Sequence, residues 1–411
     1  MKCVVVGGDG RAHALADVLR RSADVVVTPG NPGIPGSTPE PPDDLDADLF
    51  VISPEAPLVA GIADRLRAQG KRVFGPGADG AMLEGSKAWM KEVVTDAGVP
   101  TARHGTFTDV EPALDFLRSL PGLYVVKTDG LAAGKGVFVT DSLIEAEDDV
   151  KAKLAGISFG DAGRRVVIEE GLTGPELSVL AVCDGQRAVP LAPARDYKRI
   201  GDRDTGPNTG GMGAYSPVPF VDDDFVAEVM ERFVGPTLAT LRDRGIDYRG
   251  VLYAGLMLTS DGPKLLEYNV RFGDPEAQVV LPRLITDLAD LLAHAAEGRL
   301  CEDPAFDDDA AVTVVVATPG YPDQPRTGAI IEGLERGGDL PDAAVYYAGV
   351  AADDEGRLIT AGGRVLDVVA LGPTLTAART KAYAAVHRIS FPGMQYRSDI
   401  AAGAALREGK R

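Results

Sequence analysis

Short apolar runs alternating with helix-length spacers occupy the first hundred residues: Val4-Val5-Val6, Val25 to Val27, Leu49 to Ile52 and Val73-Phe74, with a helix expected from about Arg11. Continuous apolar runs bounded by turn residues read as strands buried on both faces. Strands that alternate with helices imply a parallel, doubly wound domain. Gly70 and Gly98 stand where helix C-caps are expected and Pro100 follows closely, which predicts a boundary near residue 100.

Beyond that point the pattern changes. Strand-like pieces Leu123 to Lys127, Val137 to Thr140, Val166 to Glu170 and Glu176 to Cys183 are joined by glycine-rich loops and one amphipathic helix from near Asp141, with a hairpin signal at Asp184-Gly185. A long helix is predicted from Asp223 to Arg244, then strands Val251 to Thr259 and Lys264 to Val270 turning at Asp261-Gly262. This middle section reads as α+β with antiparallel character. A third unit begins near Ala311, with strands Val312 to Ala317 and Arg364 to Ala370 and a closing helix from about Leu375; the acidic run Glu302 to Asp309 could link it to the rest.

A chain of 411 residues, at about 150 per domain, should hold two to four domains. Its 42 basic and 61 acidic side chains give a net charge of -19, which repels polyanions and argues against nucleic-acid binding. A small anion would need a local cluster of Lys, Arg and backbone N–H groups. Cys3, Cys183 and Cys301 are far apart and form no CxxC pair, so neither a disulfide framework nor a thiolate metal site is expected. Neither a leader segment nor an apolar membrane span is apparent, so a cytoplasmic location is expected.

Several segments carry chemistry. Gly7-Gly8-Asp9-Gly10-Arg11-Ala12-His13 follows a strand and opens a helix, where free N–H groups attract phosphate. His13 replaces the third glycine of a dinucleotide fingerprint and no acidic residue ends the second strand, so a phosphate site is favoured over NAD, with a plain tight turn as the alternative. Lys127 to Gly136 places two lysines, Lys127 and Lys135, around small residues including Gly134; it lacks the Walker A arrangement and reads either as a flap over ATP phosphates or as a surface loop. Glu169 to Glu176 joins two strands, offering a backbone edge to adenine and a carboxylate, Glu176, to ribose, unless it is an ordinary acidic turn. Period-2 geometry puts Glu267, Asn269 and Arg271 on one strand face, where the first two suit Mg²⁺ and the third a carboxylate or transferring phosphoryl group; a solvated face with an ion pair is the bland alternative. In Gly273-Asp274-Pro275-Glu276, Asp274 also reads as an N-cap. The stretch Asp196 to Gly213 combines dense charge with glycine, a composition that is costly to keep ordered. The four histidines show no metal spacing, and no GxSxG or Cys-His arrangement supplies a nucleophile.

Lysine flap, ribose carboxylate and Glu-x-Asn strand, in that order, resemble the ATP-grasp ligases. Within them the chain is similar over nearly its whole length to the phosphoribosylamine–glycine ligase family. The carrying segments are Gly8 to Leu15, Pro29-Gly30-Asn31, Pro54 to Leu58, Leu83 to Lys87, Asp129 to Val137, Asp204 to Tyr215 and Arg271 to Gln278. The resemblance implies an N-terminal three-layer domain (1–100), an ATP-grasp core (101–300) with a mobile lid near residues 121–188, and a small β-rich C-terminal domain (310–411). It implies Lys87, Lys127, Gly134 and Lys135 around ATP phosphates, Glu169, Glu170 and Leu172 framing adenine, and Glu176 on ribose. Glu267 and Asn269 would bind Mg²⁺, or Mn²⁺. Arg271, Asp196 and Lys198 would be catalytic, and Gly8, Gly10, Arg11, Gly273 and Asp274 would hold the aminosugar phosphate. The implied reaction passes through glycyl phosphate, with glycine, 5-phosphoribosylamine and ATP as partners of a monomer. Ala12, Thr128 and Tyr197 depart from the family's usual glutamate, alanine and histidine. The competing readings are a carboxylase component using bicarbonate and a non-catalytic nucleotide sensor.

Overall fold

Strands Asp24–Pro29, Lys2–Gly7, Leu49–Ile52 and Val73–Phe74 lie side by side in that order as one parallel sheet, as the buried apolar runs predict. The computed structural model describes residues 1–131, 136–157, 164–334 and 342–408. Helix Gly10–Leu19 follows the first strand, and the Asp9 carboxylate caps it by accepting the Ala12 N–H. Gly70 and Gly98, at φ of +79° and +66°, end helices Ile62–Ala68 and Lys87–Asp96. In each case the following N–H reaches back to the last turn, Lys71 to the Leu66 carbonyl and Val99 to that of Val94.

A second, antiparallel sheet runs His104–Phe107, Val166–Glu170, Tyr124–Thr128, Val137–Thr140. Helices Val110–Arg118 and Leu143–Leu154 belong to it, and Leu114, Leu117, Val126, Val150 and Ile168 form a hydrophobic core of its own. Separate cores allow two units to move against each other. This unit closes at Glu170, earlier than the lid expected to reach 188. Glu176–Asp184 pairs along its length with Arg249–Thr259 in a third sheet, completed by Ala188–Pro190 and Gly262–Asn269.

The predicted long helix is present as Asp223–Val229 and Gly235–Asp243 around a wide turn at Met230–Val234. Pro236 has no N–H to donate, so the ladder shifts and the Gly235 N–H bonds to the Met230 carbonyl. The last sheet, Arg195–Asp196, Gly213–Ser216, Ala310–Ala317, Arg364–Gly372, Ala344–Tyr347, is antiparallel. Two of its strands come from the charged stretch of the middle section. The first, third and last sheets share one continuous core. Among the described residues no helix is long and apolar enough to cross a membrane.

Candidate active site

The two predicted phosphate lysines come from different elements. Ser86 caps helix Lys87–Asp96 and its hydroxyl donates to Asp129, so the helix start is tied to the strand-to-flap junction. Lys87, at the first helical position, donates to the Gly130 carbonyl at 2.9 Å. Lys127 is the last residue but one of strand Tyr124–Thr128, with its ammonium 2.8 Å from Glu169 Oε1 and 3.2 Å from the Leu266 carbonyl. Glu169 Oε2 is 3.1 Å from Lys91, whose ammonium also donates to Thr101 Oγ1 at 2.7 Å. Burial alone would lower the Lys127 pKa, but Glu169 and Glu267 outweigh it and hold it above the usual lysine value. Burial pushes Lys91 down to about 8, against the pull of Glu169. The Glu169 side chain therefore faces inward, toward the two lysines. Gly134 and Lys135 lie outside the described residues.

Downstream, Glu170 accepts the Arg103 N–H at 3.0 Å and faces Lys264, and Leu172 lies half-buried just beyond it. Glu176 starts its strand and meets Lys198 at 2.6 Å; Lys198 is also 3.1 Å from Asp196 Oδ1. Burial, reinforced by Glu276 and Glu176 and opposed by Lys198, pushes the Asp196 carboxyl up to about 7. Behind this group the Tyr253 hydroxyl donates to Glu276 Oε1 at 2.6 Å and lies 2.8 Å from Ser178 Oγ.

Glu267 and Asn269 project from strand Gly262–Asn269 opposite Gly255 and Tyr253. Asn269 Oδ1 accepts from Arg271 Nη2 at 3.2 Å. That guanidinium also reaches Glu84 at 2.8 Å and Glu55 at 3.2 Å. Both carboxylates come from the first hundred residues, so Arg271 pins the end of strand Gly262–Asn269 to the N-terminal unit. Among the described residues no cluster of three or more His, Cys, Asp or Glu could hold a metal. Two oxygen donors on one face fit a hard cation that completes its shell with water and nucleotide phosphates, and do not fit a closed transition-metal cage.

The Gly8–His13 turn is packed closely against the protein's own groups. A Cβ on Gly8 would lie 2.7 Å from the Gly30 carbonyl oxygen and one on Gly10 1.7 Å from Asp367 Oδ2, so both glycines accommodate the protein itself. Arg11 is buried and its guanidinium is committed to Ser53 Oγ, the Phe272 carbonyl and Asp9. His13 Nδ1 accepts the Tyr347 N–H at 2.9 Å; burial holds the ring's pKa near 3, so it is neutral and able to accept. Asp274 does not cap a helix, because the short helix begins at Ala277. Its carboxylate instead takes Gln278 Nε2 at 2.7 Å and Arg364 at 2.9 Å. Gly273 packs against Glu276, whose Oε2 would lie 2.2 Å from an added Cβ.

Profiles of three consecutive units match this chain: the N domain of phosphoribosylglycinamide synthetase over residues 1–84, its ATP-grasp (A) domain over 85–277 and its C domain over 311–403. The chain belongs to the phosphoribosylglycinamide synthetase family. The phosphoribosylamine–glycine ligase of Escherichia coli O157:H7 is 45% identical over 99% of this chain and 100% of its own. That of Streptomyces coelicolor is 49% identical over 98% and 100%. The crystal structure of phosphoribosylamine–glycine ligase from Thermotoga maritima superposes with a TM-score of 0.88 at 35% identity, covering 98% of this chain and 100% of that one. A biotin carboxylase domain from Hydrogenobacter thermophilus shares the fold at 16% identity, with a TM-score of 0.72 over 96% and 91% of the two chains.

In this member of the synthetase family the structure brings together Lys87, Lys127, Glu169, Glu267, Asn269 and Arg271 on one side and Glu176, Asp196 and Lys198 on the other. Sequence reasoning did not single out Lys91, Glu84, Ser178, Tyr253 or Glu276. Ser178 was within reach, since it shares a strand face with Glu176 two residues earlier. Lys91 was not, because a lysine in a helix with charged neighbours reads as solvated.

Proposed function

We propose that this chain is an ATP-dependent carbon–nitrogen ligase that joins glycine to 5-phosphoribosylamine, releasing ADP and phosphate. The observation that carries the reading is the shared strand face of Glu267 and Asn269 beside Lys127, with Arg271 locked next to them. Lys87 and Lys127 hold ATP phosphates, the Glu170–Leu172 backbone meets adenine and Glu176 takes the ribose. Glu267 and Asn269 would hold Mg²⁺, or Mn²⁺, and the cation would supply neutralisation of phosphate charge there. The glycine carboxylate attacks the terminal phosphorus and ADP leaves; the amine nitrogen then attacks the acyl carbon and the C–O bond to phosphate breaks. The amine's proton passes to the Asp196 carboxylate, whose pKa near 7 suits it to both states at neutral pH. No covalent enzyme intermediate is required, so the residues align reactants and stabilise charge. Monomeric, cytoplasmic enzyme is the accompanying expectation.

The test is coupled ADP release with glycine and freshly made phosphoribosylamine. Release should require both. ATP binding without turnover, or turnover supported by bicarbonate in place of glycine, would overturn the assignment.

A further inference from the structure

The stretch from Asp196 to Gly213 carries two proposed catalytic groups, yet its composition alone would leave it loose. Order comes from far along the chain. Arg199–Gly201 and Thr205–Asn208 form an antiparallel ribbon, and in its turn Arg203 and Asp204 adopt φ of 59° and 55°, left-handed values unfavourable for residues with a side chain. The turn is gripped by Arg397 to Asp399. Asp204 Oδ1 meets Arg397 Nη1 at 2.8 Å, the Arg203 N–H donates to Asp399 Oδ2 at 2.8 Å, and Asp202 accepts both the N–H and the hydroxyl of Ser398.

Arg397 is the centre of this grip. It is 1% exposed, pairs through Nε and Nη2 with Asp399 at 2.7 and 2.8 Å, and donates to the Arg199 carbonyl at 3.1 Å. Its guanidinium lies 4.7 Å from the centre of the Tyr197 ring, and the Tyr197 hydroxyl accepts the Ala401 N–H at 2.9 Å. Tyr197 sits between Asp196 and Lys198. Because side chains alternate along extended backbone, fixing Tyr197 on the C-terminal side presents its two neighbours together toward Glu176. The Lys198–Asp196 and Lys198–Glu176 contacts are the result.

We propose that Arg397 is a positioning residue for the ligase reaction, setting the Asp196–Lys198 pair by clamping Tyr197 and the Arg199 carbonyl. This rests on the reading of Asp196 and Lys198 as participants in amide formation. No lysine can substitute, because an ammonium lacks the planar fork that serves Asp399, Asp204 and a carbonyl while lying flat on a ring.

The test compares wild type with Arg397→Met, Arg397→Lys and Tyr197→Leu. Wild-type ADP release dependent on glycine and amine checks the functional reading by itself; ratios to wild type check Arg397. Both Arg397 variants should lose roughly tenfold to a hundredfold in kcat, the penalty of misplaced catalytic groups. Added guanidinium ion should restore part of it in Arg397→Met and none in Tyr197→Leu, where Arg397 still fills the guanidinium site and the ring it lies on is gone. Hydrogen exchange at the Thr209 and Met212 amides, which bond to the Lys198 and Tyr197 carbonyls, should rise in Arg397→Met whatever reaction the site performs. Unchanged exchange there, or kcat within twofold of wild type, overturns the proposal. So does a kcat loss in Arg397→Met that guanidinium cannot restore, since that marks a purely structural residue. If Arg397→Met does not fold, Tyr197→Leu decides: full kcat refutes the clamp, and a loss of similar size supports it.

Discussion

Replacing Glu169 by glutamine should damage the protein far more than replacing Lys91 by methionine, although the two side chains touch. Lys91 and Glu169 are 1% and 2% exposed and Lys127 7%, so solvent screens the group weakly. Glu169→Gln removes the carboxylate that meets both ammoniums and leaves two buried like charges, the situation that costs about 3–5 kcal/mol when a buried pair is broken. Lys91→Met leaves the Lys127–Glu169 pair, at 2.8 Å, neutral overall. What it loses is the hydrogen bonding to Thr101 and Glu169, about 1–3 kcal/mol. Urea unfolding of both variants, with binding of a non-hydrolysable ATP analogue as a second readout, gives the order. pH supplies a further check. Burial holds Lys91 near 8, below the 10.5 of an ordinary lysine. Between those values the folded protein has released a proton that the unfolded chain still binds, so wild-type stability should rise as pH climbs through that window. Lys91→Met should lack that rise. Equal losses in the two variants, or a wild-type slope of the opposite sign, would refute the account of the triad.

Glu267→Gln combined with Asn269→Leu should abolish turnover at any Mg²⁺ concentration, measured by ADP release across a metal titration; a near wild-type rate at saturating metal rules out this strand face as the metal site. Glu176→Ala should raise the Michaelis constant for ATP by a factor corresponding to about 1.5–3 kcal/mol of lost charged hydrogen bonding, and wild type should discriminate against 2′-deoxy-ATP; equal use of both nucleotides contradicts the ribose role. As pH falls through about 7, kcat should fall because Asp196 takes up a proton; Asp196→Asn should remove that limb, and a profile that keeps it assigns the base elsewhere.

The parallel sheet of the first hundred residues was legible because strands buried on both faces must be apolar throughout, as Val4 to Val6 and Leu49 to Ile52 are. The Glu267–Asn269–Arg271 face was legible because alternation is a property of any extended strand. Three features were not. Gly213–Ser216 joins the C-terminal sheet by pairing with Ala310–Ala317, about a hundred residues away, and brings Arg195–Asp196 with it; no local pattern records such a partner. The end of the second sheet at Glu170 depends on which core a strand joins. The order of the Asp196–Gly213 stretch depends on Arg397, whose partners lie nearly two hundred residues upstream.

The Gly8–His13 turn shows how a motif can be recognised correctly and still be ambiguous in cause. A glycine records that something approaches the backbone too closely for a Cβ, without saying what. At Gly8 and Gly10 the approaching atoms are the Gly30 carbonyl and the Asp367 carboxylate, so the protein's own oxygens are enough to require glycine at both positions. Arg11 follows the same logic, since a guanidinium that suits a phosphate also suits a carboxylate, a hydroxyl and a carbonyl, and here it has all three. Arg11→Ala should therefore weaken the junction between the N-terminal domain and the Arg271–Asp274 segment, lowering stability by about 2–4 kcal/mol for the loss of several buried charged hydrogen bonds. Steady-state kinetics in the amine, measured where the variant is fully folded, separates the two causes. A Michaelis constant for the amine that stays within twofold while the unfolding midpoint falls assigns Arg11 to the junction. A rise of tenfold or more with stability unchanged returns it to the substrate phosphate and overturns the structural reading of this turn.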